Sequence, residues 1–504
     1  MTNEWLHADL LPIGTADFTL SAWIRLPGGP MSNPGDVLAA FDTTERRGLV
    51  LEFLDSSPCG NHGNDRELSF GMDAGTVPAW TDLGRPDPAV IMVAGLAVLD
   101  GRLYAATWEG PPSNRGHVYR LEQGGGWADC GSPWDCNAVS RLAVHDGRLY
   151  AGVSRLRGGG SGMPDSANQG PGGRVFRYEG GADWSDLGRL GDADSVAAIV
   201  PFEGDLYAIP MYSEGLYRLA AGGGWTWCGS PGRRLLALGV HAGALYGAGN
   251  DHADVVSAIA QTAAGVVVPA RSAEGGGGVF RYAGGTSWES LGLQPGTTQV
   301  YSIETFGGAM HIGTWPNGLV LRHDGDGAWH SRGHLGEETE VMNLIAFNGA
   351  LYGGTLPEAR VFRLDRTDAW ADVGRVDATP DVLYRRAASM AIHEGELAVG
   401  TLPSGRVHSM RVGVAVSAGR ALDPGLHHVA ATRRAATVTL YIDGQEAGVR
   451  TSPGGTLDLG VLPPLRLGGG PRAAFAGDVL EPRLFAAALD VDAIAALAAS
   501  RPAG

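Results

Sequence analysis

The sequence predicts an all-β protein built around a seven-bladed β-propeller, and two series of residues carry that reading. A Trp-x-x-x-Gly motif occurs seven times, at Trp80, Trp127, Trp184, Trp225, Trp288, Trp329 and Trp370. A pair of apolar strands joined by a turn glycine also occurs seven times, at Gly101, Gly147, Gly204, Gly243, Gly308, Gly349 and Gly395. The two series are out of phase. Trp80 precedes the first strand pair, and the last pair, within 386–410, has no Trp motif of its own. A ring in which Trp80 closes the seventh blade balances the count, and a ring places function on one face, around the central channel.

The totals agree. A chain of 504 residues has room for one large propeller and a second domain. Its 79 glycines follow no collagen period, so they read as turns between many short strands. A formal net charge of -16 argues against non-specific binding to nucleic acid or an anionic membrane, which needs a basic face. No apolar run is long enough for a transmembrane helix. The start, Met1-Thr2-Asn3-Glu4-Trp5, lacks the charged and apolar regions of a signal peptide, so a cytoplasmic protein is expected unless an export signal precedes it. Four cysteines are too few for a disulfide scaffold. Cys130 and Cys136 are close enough to bridge, but Cys228 occupies the repeat position of Cys130, which favours plain packing.

The two ends of the chain stand outside the repeat. Asp17 to Arg25 (DFTLSAWIR) and Glu67 to Gly71 (ELSFG) alternate apolar and polar residues as half-buried strands do. After the propeller come Gly413 to Ser417, Leu426 to Thr432, Thr437 to Gly444 and Asp478 to Phe485, then a capped helix from Asp490 to Ala499. DFTLSAWIR, LHHVAATRRAATVTLYIDGQEAG, a closing strand and an Asp-Ala-Ile-Ala-Ala-Leu helix together resemble the laminin-G-like, concanavalin-A-like jelly roll. In that family the strand like ELSFGMDAG is followed within a few residues by the strand like VGVAVSAGR. The resemblance therefore implies a sandwich in two halves, 1–76 and 413–504, with the propeller, 77–412, inserted into one hairpin. Antiparallel neighbours at that hairpin would keep the ends of the insert close, as a closed ring requires. Such sandwiches often bind carbohydrate, sometimes through calcium held by loop carboxylates and carbonyls. Calcium is thus an expectation of the resemblance, although no dense Asp cluster selects its ligands and no other cofactor is indicated. The phrases Gly313-Thr-Trp-Pro316, Gly354-Thr-Leu-Pro357 and Gly400-Thr-Leu-Pro-Ser-Gly405 resemble an uncharacterised class of bacterial propellers with kelch-like or sialidase-like labels. The sialidase Asp-box is absent.

Counting back nine residues from each turn glycine finds the start of the innermost strand, at Met92, Ala138, Ser195, Arg234, Gln299, Glu340 and Arg386. A position that is small or apolar in three blades and charged or amide in four is not generic packing. Tyr301 and Met342 lie two residues further in, and Asn343 and Ser389 three. The loop after the second strand shares this face and adds Trp108, Met211-Tyr212, Asn250-Asp251-His252 and Trp315. Two such loops are long, Arg155 to Gly173 and Asp251 to Gly277, as lids and binding loops often are. The loop into the seventh blade ends in Tyr384-Arg385-Arg386. By contrast, the aromatics three residues after each turn glycine and the once-per-blade arginines read as inter-blade packing. His145, His241 and His393 read as turn residues of the opposite face.

Guanidinium, carboxylate, amide, Tyr and Trp around one opening suit an acidic saccharide. Arg forks bind carboxylates, and aromatic faces stack on sugar rings. The expected function is therefore to bind an acidic glycan at the channel face, through Arg234, Gln299, Tyr301, Asn343, Trp315, Asp251, His252 and Arg385, and to cleave it if Glu340, Arg386 and Tyr384 are catalytic. A hydrolase needs two carboxylates; Glu340, Asp251, Asp194, Glu358 and Asp381 are candidates, but no spacing selects a pair. A lyase needs a cation to neutralise a uronate, with a base and an acid; Arg386 or Arg234 and Tyr384, Tyr301 or His252 suit those parts. The alternatives are mutual pairing of Arg234, Glu340 and Arg386, and a non-catalytic module that recognises a glycan or a protein.

Overall fold

A computed structural model of the protein describes residues 11–28, 33–250, 260–262, 265–267, 278–293, 297–325, 327–365 and 369–502. The architecture is all-β, a seven-bladed propeller inserted into a concanavalin-A-like sandwich. Alternating residues build the sandwich from two five-stranded sheets, because alternation gives each strand one apolar face. The outer sheet runs Gln445–Thr451, Thr437–Ile442, Gly425–Arg434, Phe18–Leu26, Asp478–Phe485. The inner sheet runs Val414–Ala421, Asn64–Ala74, Arg47–Ser56, Asp36–Asp42, Arg466–Leu467. Phe18, Phe53, Phe70, Leu49 and Val438 fill the space between them. The chain leaves this sheet after Ala74 and rejoins it at Val414, where the two strands are antiparallel neighbours with Met72 opposite Val414.

Between those strands lie seven four-stranded blades. The last consists of Arg386–His393, Glu396–Leu402, Val407–Arg411 and, returning from the start of the insert, Ala79–Gly84. Trp80 pairs with Met410 in this outermost strand, so Trp80 does close the ring. The Trp motif also has a use. The indoles of Trp80, Trp127, Trp184, Trp329 and Trp370 donate to the carbonyls of Val373, Leu83, Cys130, Leu291 and Arg332, each in the preceding blade. Cys59, Cys130, Cys136 and Cys228 are all free and buried, so Cys130 and Cys136 do not bridge.

The sandwich covers one face of the ring. Blade turns dock on it: Gly101 N–H donates to Gly419, Gly308 N–H to Arg472, and the Asn348 side chain to Met72 and Val412 carbonyls. From the inner sheet the segment 57–64 enters the channel. Asn61 accepts from Leu142 N–H and donates to Ala94 C=O, His62 N–H donates to Leu142 C=O, and Asn64 exchanges two bonds with Ile392. Gly60, at φ +77°, is needed here, since a Cβ would stand 2.3 Å from Ala197 O. The channel is thus a pocket, stopped at one end by the sandwich.

Candidate functional site

The inner strands share an irregularity that shapes this pocket. The pairing shifts register between Leu235 and Ala237, Val300 and Ser302, and Val341 and Asn343. The unpaired residue in each is a β-bulge, which re-aims its side chain. Leu236, Tyr301 and Met342 are those residues, and all three line the pocket.

The pocket has a volume of about 420 Å³. Its wall holds Met92, Arg234, Gln299, Glu340 and Arg386 from the inner-strand starts, and Trp108, Met211, Tyr212, Asn250 and Trp315 from the neighbouring loops. Tyr384 lines it from the loop into the last blade, and Arg157 to Ser161 contributes from one of the two long loops. Its floor includes Cys59, in the left-handed region at φ 48°, and Arg141. Apolar walls with a few convergent polar groups are the general form of a ligand site.

Charge is unevenly distributed. Among the described residues that line it, four carry guanidinium groups, Arg141, Arg157, Arg234 and Arg386, and one a carboxyl group, Glu340. Protein carbonyls hold the guanidiniums: Arg141 donates to Ser140 and Ala197, Arg234 to Met211 at 3.4 Å, and Arg386 to Gly160 at 2.7 Å. Among the described residues no ion pair joins Arg234, Glu340 and Arg386, so mutual pairing does not account for them. Several polar atoms of the wall are buried without a partner: Glu340 Oε1, Asn250 Oδ1, Arg234 Nε, Arg386 Nε and the indole nitrogens of Trp108 and Trp315. Native interiors rarely leave such atoms unmet, and a ligand is one thing that meets them.

Burial sets the protonation states. It raises Glu340 above the ordinary carboxyl range, against the lowering pull of Arg386. It raises Tyr301 well above the ordinary phenol value, with Glu340 adding to the effect, and raises Tyr384 as well. Both phenols are therefore proton donors rather than bases. The Cys59 thiol is likewise pushed up by burial.

Other expected residues lie elsewhere. Asn343 is buried between blades and donates to Ala387 C=O at 2.6 Å. The bulge before it turns Met342 to the pocket and Asn343 away. Arg385 pairs with Glu358 at 3.3 Å and bonds Thr379 C=O, outside the pocket. Asp194 pairs with Arg155 and Arg189, Glu358 also pairs with Arg375, and Asp381 is exposed; none of the three lines the pocket. Asp251 and His252 lie outside the described residues. Leu236, Arg141 and Cys59 line the pocket without having been singled out in the sequence, and the last two are its polar additions. Arg141 carries a signal, a charge inside the apolar strand Ala138–His145. Cys59 carries none, since only the threading of the sandwich segment brings it there.

Residues 368–495 match the family model of the concanavalin A-like lectin/glucanases superfamily. No curated protein sequence matches the chain. Among solved structures, a streptogramin B lyase is similar at TM-score 0.49 and 11% identity, over 67% of this chain and 98% of that one. Virginiamycin B lyase from Staphylococcus aureus, solved with quinupristin, is similar at TM-score 0.49 and 10% identity, over 66% and 99%. The WD40 propeller domain of Doa1 is similar at TM-score 0.42 and 11% identity, over 66% and 97%. At such identities the likeness says nothing of this chain's ligand. The class that the fold and the pocket define is a two-part, all-β binding or recognition module.

Proposed function

We propose that the pocket binds the carboxylate-bearing end of an acidic glycan. The observation that carries this reading is the described part of the wall, where four guanidiniums meet one buried carboxyl group in a chain of net charge -16. A site this cationic in an acidic protein suits an anionic ligand. Trp108, Trp315 and Tyr212 offer aromatic surface for sugar faces. The floor at Cys59 favours entry of a chain end over passage of a long polymer. The raised carboxyl of Glu340 supports the reading too, because in its neutral form it donates to the ligand instead of repelling it.

Cleavage is a second reading, favoured by the unpartnered Glu340 Oε1 beside Tyr301 and Tyr384. A hydrolase would need a second carboxylate, and the described wall holds one. β-Elimination suits the residues better. Arg386 would neutralise the uronate, Glu340 when ionised would take the proton next to it, and a tyrosine would protonate the departing oxygen. The test is incubation with neutral and uronic-acid oligosaccharides, for wild type, Arg386→Ala and Glu340→Ala. Binding of uronides alone, without products and lost in Arg386→Ala, leaves recognition as the function. Unsaturated products, lost in both variants, establish a lyase. Equal binding of neutral sugars, or binding unchanged in Arg386→Ala, sinks the proposal.

A further inference from the structure

A second cluster lies where the sandwich segment enters the ring. Asp55, His62 and Asp65 bring one ligand atom each to within 4.8 Å of one another. His62 Nε2 is 3.7 Å from Asp55 Oδ1 and 3.9 Å from Asp65 Oδ1. These distances are too long for hydrogen bonds. They fit two ligands of one ion, since atoms about 2.1 Å from a shared zinc stand roughly 3.4 Å apart at the tetrahedral angle, and more as the angle opens.

Three observations point to a cation here rather than to a chance meeting of acids. His62 is 1% exposed, and its Nε2, aimed between the two carboxylates, has no hydrogen-bond partner. Its other ring nitrogen, Nδ1, meets Ser57 Oγ at 3.3 Å, the outer contact that commonly orients a metal-binding imidazole. A void of about 10 Å³, the size of one small occupant, borders Asp55 and His62 on the side of Asn33, Ser57 and Glu304, with Asp65 outside its lining. Asn33 Oδ1, on the same void, is also buried and unpartnered.

The surroundings are fixed. Asp55 Oδ2 accepts from Asn33 N–H at 2.9 Å, Asp65 Oδ1 from Arg66 at 3.1 Å, and the His62 backbone is bonded on both sides to the second blade. We propose that Asp55, His62 and Asp65 bind a single divalent transition-metal ion, zinc foremost. An imidazole with carboxylates suits zinc, whereas calcium and magnesium prefer all-oxygen shells with more ligands. The site is enclosed, so its work is structural: it fastens the segment that carries the pocket floor.

The test uses the full-length, tag-free protein. Wild type is stripped with chelator, its metal content is measured, and zinc is added back during calorimetry and thermal melting. One equivalent of zinc regained, with Tm falling on stripping and recovering on addition, is the expected result. Asp55→Asn and His62→Gln should each lose stoichiometric binding and the Tm response. If both variants misfold, X-ray absorption of zinc-loaded wild type decides. Nitrogen and oxygen neighbours near 2.0 Å support the site, and a sulfur neighbour overturns it. Absence of zinc uptake by wild type, or uptake kept by both folded variants, also overturns it and leaves the void to a buried water.

Discussion

At the scale of single residues, the pocket depends on which groups are charged and which are left unmet. The Arg386 guanidinium donates to Gly160 C=O and has an unpartnered Nε. Its replacement by Ala should therefore spare the fold and cost the ligand a charge-assisted contact worth ~1.5–3 kcal/mol, or roughly 10- to 100-fold in Kd. Titration calorimetry with a uronide, alongside a melting curve, separates the two effects. Glu340 should make binding pH-dependent. Its carboxyl is raised by burial, and it turns anionic as pH climbs through that raised value, so an anionic ligand is held less well above it. Glu340→Gln should bind as wild type does at low pH and lack the decline at high pH. A decline of equal size in the variant would assign the titration to another group. Two neighbouring acids bear on stability instead. Glu52 and Asp36 are buried between sandwich and ring, and burial pushes them up to about 8 and about 6. A carboxyl that keeps its proton longer when folded makes stability fall as pH rises from the unfolded value to the folded one. Stability should therefore drop between about pH 5 and about pH 8, by an amount on the order of 3 kcal/mol for Glu52. Urea denaturation of Glu52→Gln should show a flatter profile and a more stable protein at the upper end.

At the scale of elements, the bulged inner strand and the inserted segment differ in how far the sequence discloses them. The strand starts are legible because a nine-residue offset from a turn glycine recurs in every blade. Met92, Arg234, Gln299, Glu340 and Arg386 from that offset all line the pocket. The bulge is less so: Tyr301 and Met342 lie where a simple count places them, but Asn343, a residue further, turns between blades because the extra residue is spent before it. The segment 57–64 has no periodicity to betray it, and its bonds to Ala94, Leu142 and Ile392 join residues distant in sequence. Asn61 is its main anchor. Asn61→Ala would strand the buried Leu142 N–H and Ala94 C=O, at a cost of ~2–4 kcal/mol. Denaturant midpoints should show that loss, and uronide binding should weaken with it as the floor loosens. A midpoint unchanged from wild type would mean that the segment is not held as described.

At the scale of the molecule, sandwich and propeller are bound into one body by buried polar groups as well as apolar ones. Arg472, from the sandwich, reaches the Phe53 and Asp55 carbonyls and lies 3.3 Å from Glu304 of the ring. With both partners only 2% exposed, separating the two halves would leave charges without either partner or adequate solvent while the interface opens. The protein should therefore melt in one transition, and residues 77–412 alone should lack a stable pocket. Two resolved calorimetric transitions would show the halves to be independent. Ring and sandwich were readable in the chain because each repeats or alternates. Their interlocking was not, because it rests on single residues such as Arg472 and Asn61 that fit no period. Recognition of a carboxylate-bearing glycan end by the pocket is decided by titrating the wild-type protein with one uronic-acid oligosaccharide and with its methyl ester. The free acid should bind saturably, in a manner weakened by salt and lost on esterification. Equal affinity for the two forms would contradict it, since the four arginines would then have no ligand charge to answer.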